Sequence, residues 1–386
     1  MKDPGTKPDL NALRQEIDAV DKELIGLFNR RMGIAHAIAA AKGDGRRVYV
    51  PEREQDNIRR ALEQVEPEHR RRAESFLKSL MRLSRSVQYA DLMQSGADFT
   101  VGRLLGETEP AWPKIGRVIV QGAAGAYSEQ AANLLFPGIV PDRTETFAEA
   151  CDRVRDGLAD VAVLPLENST AGTVDDVYNL LLKDDLYIWR SLTLPIQHQL
   201  LVKPGVTLDM IRMVTSHPQA LAQCSDFIRS RGWAVEASLN TAFAAEQVAT
   251  GSRTDLAAIA SPAAARACGL DVLAADINNT DVNQTRFIAV GRSFLVTPDC
   301  SRISLILKLP HTIGALASTL AVFSDSGLNL SKIQSRPDRE SPWTYLFYLD
   351  FTCGQPDLPS ALATLYQLSC EMPMLRLLGW YGEVSP

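Results

Sequence analysis

The sequence predicts a multidomain α and α/β protein: an all-helical front, a two-lobed α/β middle and a C-terminal βαββαβ unit. Three observations carry this. Apolar residues alternate at three-and-four spacing through a Pro-free stretch from Asp9 to Lys42, the seam of a long helix packed on another helix. Short strand and helix patterns then alternate between residues 117 and 290, which is the α/β signature. From Arg302 to Tyr381 the order becomes strand, helix, strand, strand, helix, strand, that of a ferredoxin-like sandwich.

The first helix carries Leu10, Leu13, Ile17, Val20, Leu24, Leu27, Ile34 and Ile38 on its seam. At ~1.5 Å per residue it would be roughly 50 Å long. A small domain cannot cover that length, so a second copy of the chain is expected. Arg31 takes the seam position between Leu27 and Ile34, and Arg14 borders the stripe. Guanidiniums facing a helical interior snorkel, pair with a partner's carboxylate or meet an anionic ligand. Lys42 adds a third cation near that side.

Pro51 is placed to open a second helix, with Glu54, Ile58, Leu62 and Val65 on one face. A carboxylate pointing inward there needs a donor. A third helix, about Glu68 to Met93, carries Leu77, Met81, Ser84 and Gln88 at i, i+4 spacing, turning from apolar to polar. The three helices thus send Arg14, Arg31, Lys42, Arg53, Glu54, Ser84 and Gln88 toward one interior. That set is rich in anion donors and has no nucleophile or metal cluster, so it binds and polarises.

Composition sets the outer bounds. The 386 residues are 46% hydrophobic, enough for two or three buried cores. No apolar run approaches the ~20 residues of a membrane span, and the first nine residues lack a signal peptide's apolar core. Six scattered cysteines without a CxxC pair predict reduced thiols, a cytoplasmic location and no structural zinc. The net charge of −6 is uneven: residues 1–90 hold 18 Lys+Arg against 14 Asp+Glu, leaving 40 − 18 = 22 against 46 − 14 = 32 for the rest. The basic front has interleaved acids and no stacking aromatics, so a small anion suits it better than nucleic acid. A nucleic-acid-binding front end, suggested by Arg70-Arg71-Arg72, would show salt-dependent binding.

Residues 10–90 resemble an all-helical chorismate mutase domain, in the LRxxID start, the Arg30-Arg31 pair, the Ala41-Lys42 ending and the PxRE opening at Pro51. The resemblance implies a unimolecular rearrangement of chorismate to prephenate, driven by orientation and charge stabilisation. It assigns Arg14 of a partner chain and Arg31 to the substrate carboxylates, and Lys42 and Gln88 to the ether oxygen. Arg53, Glu54 and Ser84 fix the hydroxyl and its surroundings. An aspartate common in relatives stands here as Val50, where a backbone group is expected to serve.

Residues 94–114, with Gly, Pro and no sustained period, read as a linker. Beyond it, Arg117 to Gln121 is a predicted strand, Gly122 to Gly125 a turn, and Ser128 the predicted cap of a helix reaching Leu135. The GAAG spacing is neither GxGxxG nor a Walker loop, so no nucleotide is assigned. Polar clusters at strand ends mark a cleft between two lobes: Glu167 to Thr170, Ser216 to Gln219, Gln223, and Asn283 to Phe287. From spacing alone, His217 before Pro218 reads as structural.

VLPLENSTAGTVDDVYNLL, SHPQALAQC and NQTRF, in that order, resemble the motifs of a prephenate dehydratase domain. The resemblance implies a fold like the periplasmic binding proteins and loss of water and CO2 from prephenate to give phenylpyruvate, without a cofactor. Thr285 becomes the donor to the leaving hydroxyl. Glu167, Asn168, Ser216 and Gln223 place that hydroxyl, and Arg286 supplies positive charge. The first motif departs: Gly122 to Ser128 reads GAAGAYS where relatives read GPxGTFS or GPxGSYS. Losing the Pro is expected to loosen the turn, and Ala126 removes a hydroxyl.

The C-terminal unit resembles an ACT domain of the kind fused to these dehydratases. Gly314, Ala315 and Leu316 stand in its GALV motif, and Gln334, Ser335, Arg336 and Pro337 in its ESRP motif. Read from spacing alone, Gly314 is a plain helix cap. The resemblance implies phenylalanine bound between two chains as an inhibitor, with Gln334 removing one negative charge.

The three resemblances run in the order of the bifunctional chorismate mutase/prephenate dehydratases. They predict a front domain at residues 1–93, the linker at 94–114, a dehydratase domain at 115–295 and an ACT domain at 301–383. Chorismate and prephenate are then the substrates, phenylalanine the effector, and the assembly a homodimer or larger, with no metal, nucleic acid or membrane partner. An amino-acid-sensing binding protein with degenerate lobes is the alternative, and it predicts binding without turnover.

Overall fold

The computed structural model describes residues 9–42, 47–108, 112–280, 282–338 and 341–385. Three helices build the front: α1 (Leu10–Lys42), α2 (Pro51–Leu62) and α3 (Arg70–Gln94). Ala35 and Ala39 are the buried residues of α1, and small side chains there let α3 lie close alongside. The apolar seam instead faces outward: Leu10, Ile17, Val20, Leu24, Leu27 and Ile34 are all exposed. None of the described residues covers it.

The stretch read as a linker is partly helical. α4 (Thr100–Glu107) follows α3 closely, and its Val101 is buried in the C-terminal core beside Phe323, Leu365 and Trp380. One turn of apolar residues was too short a signal against the neighbouring Gly and Pro.

The first lobe is built on β1 (Val118–Gln121), β2 (Asp142–Thr144), β3 (Val161–Asn168), β4 (Gly172–Thr173), β5 (Tyr187–Pro195) and β11 (Gln284–Gly291). Parallel β1 pairs with β2 and β3, and β11 lies antiparallel between β3 and β5. Helices α5 (Tyr127–Leu135), α6 (Phe147–Arg155) and α7 (Asp175–Lys183) pack on this sheet. The cap of α5 is Ala126, with no side-chain bond, and Ser128 lies buried inside the helix; the GAAG turn carries the chain into the helix two residues earlier than the Ser signal indicates.

The second lobe has strand order β10-β6-β9-β7-β8, comprising β6 (Gln199–Val202), β7 (Met213–Ser216), β8 (Ala234–Ala237), β9 (Leu256–Ala260) and β10 (Asp271–Ala274). Its helices are α8 (Pro218–Gln223), α9 (Ser225–Arg231), α10 (Thr241–Thr250) and α11 (Pro262–Cys268). Helices α8 and α9 are separated at Cys224, whose backbone leaves the helical region. The chain crosses between lobes twice, and the crossings are tied: Ile196 N donates to Asn283 O and His198 N to Asn278 Oδ1, both at 2.8 Å.

The C-terminal unit comprises β12 (Arg302–Lys308), α12 (Ala315–Asp325), β13 (Leu330–Pro337), β14 (Tyr345–Thr352), α13 (Leu358–Glu371) and β15 (Met374–Val384). Its antiparallel order β13-β14-β12-β15 is that of the ferredoxin-like sandwich. It is not separate from the first lobe. β15 runs on to pair in parallel with β5, Glu383 opposite Ser191, and joins the two sheets. Ile306, Tyr348 and Tyr381 share one buried cluster with Leu164, Tyr178 and Ile288.

Candidate active sites

In the front unit a pocket of about 350 Å³ opens between α1, α2 and α3. Arg31, Lys42, Arg53, Glu54, Ser84 and Gln88 all line it. Arg31 Nη1 reaches Ser84 Oγ and, at 3.3 Å, Leu80 O. Ser84 Oγ donates in turn to Leu80 O at 2.9 Å, and Gln88 Nε2 donates to Ser84 O at 3.1 Å. Gln88 Oε1 is buried with no partner, a polar atom held at the wall of an anion site. Lys42 Nζ donates to Arg47 O and Val48 O at 3.1 and 3.2 Å.

Burial lowers the pKa values of Arg31 and Lys42. Glu54 opposes that in both, while Arg53 adds to it at Lys42. Desolvated cations interact more strongly with an incoming anion than solvated ones. Val50 lines the pocket, and its carbonyl accepts from Glu54 N at 3.2 Å in the first turn of α2. Arg14 is exposed on α1, outside the residues lining this pocket.

The second site is a cleft of about 170 Å³ between the two lobes. Register fixes its floor. Thr285 pairs with Asn168 and Arg286 with Glu167 across β11 and β3, and alternate strand residues face opposite ways. Thr285 and Asn168 therefore look into the cleft together, while Arg286 and Glu167 look away. Asn168 Nδ2 donates to Thr285 Oγ1 at 2.9 Å and to Asn283 Oδ1 at 2.8 Å. Having accepted from Asn168, the Thr285 hydroxyl keeps its own proton to donate into the cleft. Asn168 Oδ1 gathers Thr170 N, Thr170 Oγ1 and Ala171 N at 2.7–3.0 Å. Gln223 Nε2 extends the chain to Thr170 Oγ1 at 2.6 Å, and Gln223 Oε1 meets His198 Nε2 at 3.0 Å.

Gly125 joins the lobes behind this cleft. Its φ is +80°, and a Cβ would stand 2.5 Å from Ala264 Cα. Ser261 Oγ donates to Gly125 O at 2.7 Å while capping α11. The turn is therefore held without the Pro; Ala126 presents a methyl at the cleft wall.

At the C-terminal unit, Gly314 caps α12 with φ +81°. Gln334 lies on the edge strand β13, with its side-chain amide on Ser335 O. Arg336 turns toward α7, pairing with Asp175 and lying over the Tyr178 ring at 5.3 Å. Ile313, Trp343 and Tyr345 near it are exposed apolar side chains.

A chorismate mutase type II model matches residues 13–89, and a prephenate dehydratase model matches residues 118–294. A bifunctional chorismate mutase/prephenate dehydratase of Enterobacter agglomerans is 33% identical over 96% of this chain and 95% of its own length. The chain belongs to the bifunctional chorismate mutase/prephenate dehydratase family. Two solved structures cover the same share of it, 69%. One, described as GqqA, a quorum-quenching acylase, has 32% identity, a TM-score of 0.63 and 98% of its own chain covered. The other, a prephenate dehydratase from Arthrobacter aurescens in complex with L-Phe, has 30% identity, a TM-score of 0.62 and 89% covered.

Against this family frame, three residues expected at the dehydratase cleft lie elsewhere. Arg286 Nη1 is 3.0 Å from Glu167 Oε1 and 2.7 Å from Asp350 Oδ2, and its Nη2 meets Tyr381 Oη. Lys332 meets the other oxygen of Glu167. Burial works against the Arg286 charge, but Tyr381, Asp350 and Glu167 more than offset it, so the guanidinium stays protonated. Burial likewise would raise the Asp350 carboxyl, yet Arg286, Ser304 and Lys332 hold it below its ordinary value. Arg286 and Glu167 thus tie β11 and β3 to the C-terminal unit. Ser216 is fully buried and donates to Ile259 O at 2.5 Å; its hydroxyl is committed to the β7–β9 pairing.

Other cleft residues had no motif to announce them. His198 is 2% exposed, its Nδ1 has no partner, and burial lowers its pKa despite the bond to Gln223. The only sequence signal was a polar residue between two strand patterns. His217 both caps α8 by accepting from Gln219 N and lines the cleft, so its reading as structural covers half of its place. Arg85 also lines the front pocket; it stands one residue past Ser84, off the stripe of Leu77, Met81, Ser84 and Gln88 read for this helix.

Proposed function

We propose that the front pocket and the interlobe cleft are the two active sites of one bifunctional chain of phenylalanine biosynthesis. Chorismate is rearranged to prephenate in the first; prephenate loses water and CO2 in the second to give phenylpyruvate. The single observation that carries this is that one chain, matching a bifunctional relative along its length, holds both built sites.

In the mutase pocket the reaction is intramolecular, so the chain's task is to select a reactive conformer and meet developing charge. Arg31 holds one carboxylate and Arg14 of a second copy the other. Lys42 and Gln88 donate to the ether oxygen, Arg53 and Ser84 order the surroundings, and Glu54 accepts from the substrate hydroxyl. The exposed seam of α1 supports a homodimer: a helix offering that much apolar surface is stabilised by covering it.

In the cleft, the ring–carboxylate bond breaks as CO2 leaves, its electrons enter the ring, and the hydroxyl is expelled. Thr285 donates to that hydroxyl, and Asn168 orients Thr285. With His198 and His217 both lowered by burial, the cleft is uncharged near neutrality and the oriented Thr285 hydroxyl is the donor there.

The C-terminal unit is read as an ACT domain that takes phenylalanine near Gly314, Ala315 and Leu316, with Gln334, Ser335 and Pro337 on β13 beside it. The exposed Ile313 and Trp343 support a site closed by a second copy, and the L-Phe complex of the Arthrobacter aurescens dehydratase supports the ligand. Residues 1–93, 115–295 and 301–383 are the corresponding domains, with α4 assigned to the C-terminal core.

The test is phenylpyruvate formation from chorismate and, separately, from prephenate. Product from both is expected. Prephenate accumulating from chorismate without phenylpyruvate would defeat the cleft assignment and favour an amino-acid-binding role; product from prephenate alone would defeat the front site. A calorimetric titration with phenylalanine that gives heat and lowers dehydratase turnover is expected for the ACT reading.

A further inference from the structure

Arg85 stands between two carboxylates that belong to opposite ends of the chain. Its Nη1 donates to Glu54 Oε1 and Oε2 at 2.8 and 2.6 Å. Its Nε donates to Glu371 Oε1 at 2.8 Å and its Nη2 to Glu371 Oε2 at 3.3 Å. Glu371 is the last residue of α13 in the C-terminal unit. The guanidinium also lies 4.5 Å from the Tyr49 ring. Its side chain is 12% exposed and that of Glu371 5%. A planar fork with five donors can serve both acids at once, which an ammonium cannot.

A second grip, on α12, supports the geometry. Arg82, one turn earlier on α3, pairs with Asp325 at the end of α12 at 2.8 Å. α3 is thereby fixed against both helices of the C-terminal unit. Of Arg82 and Arg85, only Arg85 also lines the front pocket.

We propose that Arg85 is a positioning residue of the mutase site: it holds the Glu54 carboxylate aimed, and is itself anchored by Glu371, so the front site is completed by the C-terminal unit. This rests on the mutase reading and on Glu54 accepting the substrate hydroxyl. Without Arg85, Glu54 loses both of the bonds that aim it and faces the buried Glu371 with no cation between them. Without Glu371, the guanidinium loses half of its bonds and is free to swing with Glu54 into the pocket.

The experiment uses the full chain and measures chorismate-to-prephenate kinetics, with prephenate-to-phenylpyruvate turnover on the same preparations as the control. Arg85→Ala is expected to lower mutase kcat/KM by about tenfold or more, as expected for losing a charge-assisted contact. Glu371→Ala, far from substrate, is expected to lower it by at least about threefold, and Glu371→Gln, which still accepts from Nε, to restore most of it. Arg85→Lys should fall between wild type and Arg85→Ala. In a Glu54→Gln background, Arg85→Ala should add less than about twofold, because the two act through one contact. Dehydratase turnover should stay within about twofold throughout.

Unchanged mutase kinetics in Arg85→Ala and Glu371→Ala beside an active wild type would overturn the assignment alone. So would parallel loss of both activities, or Glu371→Gln behaving like Glu371→Ala. A wild type that forms no prephenate would overturn the mutase reading itself, and this assignment with it.

Discussion

At the scale of single residues, strand alternation sorts the dehydratase motif into two groups with different mutational signatures. Thr285 and Asn168 face the cleft; Arg286 and Glu167 face the C-terminal unit. Thr285→Val should cut dehydratase kcat by about a hundredfold or more, the range of a lost proton donor, with mutase kinetics and thermal stability near wild type. Arg286→Ala should instead leave the buried Asp350 without its guanidinium partner and cost about 3–5 kcal/mol of stability, read by denaturant unfolding. Ser216→Ala should cost about 1 kcal/mol and leave kcat unchanged. Both of the latter differ from what substrate-binding residues would give. The TRF and LEN motifs put all four polar residues into one sequence reading; the period of two was the available signal that adjacent residues cannot share a cleft.

His198 belongs to the same scale. Its pKa is lowered from 6.5 by burial, so the folded chain disfavours its charged form while the unfolded chain does not. Its contribution is intact above about pH 6.5 and is lost as pH falls below that value toward the folded pKa. The melting temperature should drop on acidification through this window, and His198→Gln should flatten the drop. An equal slope in both proteins would show that other groups govern it.

At the scale of elements, two features set how the sites are held. The seam of α1 was legible because three-and-four spacing survives in any helix, but which face meets α3 was not. Ala35 and Ala39 do that, leaving the large apolar residues outward. If the proposed homodimer forms on this seam and takes Arg14 from the second copy, Leu24→Glu should split it and abolish mutase activity while dehydratase turnover persists; sedimentation with parallel assays would check this. Gly125 is the other feature. Gly125→Ala meets both a +80° φ and the Ala264 backbone, and should lower stability by about 1–3 kcal/mol and reduce dehydratase kcat by separating the lobes. The sequence marked this turn as loosened by its missing Pro; contacts from α11 hold it instead.

At the scale of the whole molecule, three predicted units are fused by contacts that no motif announced. β15 continues past the sandwich onto β5, and Glu383 there accepts from Thr193 Oγ1 and pairs with Arg302, both at 2.8 Å. Truncation after Tyr381 should turn one cooperative unfolding transition into two, since it removes the strand that stitches the sheets. A single transition in the truncated chain would mean that the shared core around Tyr178 and Tyr348 suffices.

What the sequence determined by itself is local and periodic. It specified the helical front, the alternating middle, the βαββαβ order and the family, because each rests on hydrophobic period or on motifs that are contiguous along the chain. The tertiary structure alone decided which way the side chains of those motifs point, that α4 joins the C-terminal core, and that Arg85 reaches Glu371 across 286 positions. Those outcomes depend on strand register and on burial against distant segments, and a buried charge reveals its partner only once the fold has brought the two together.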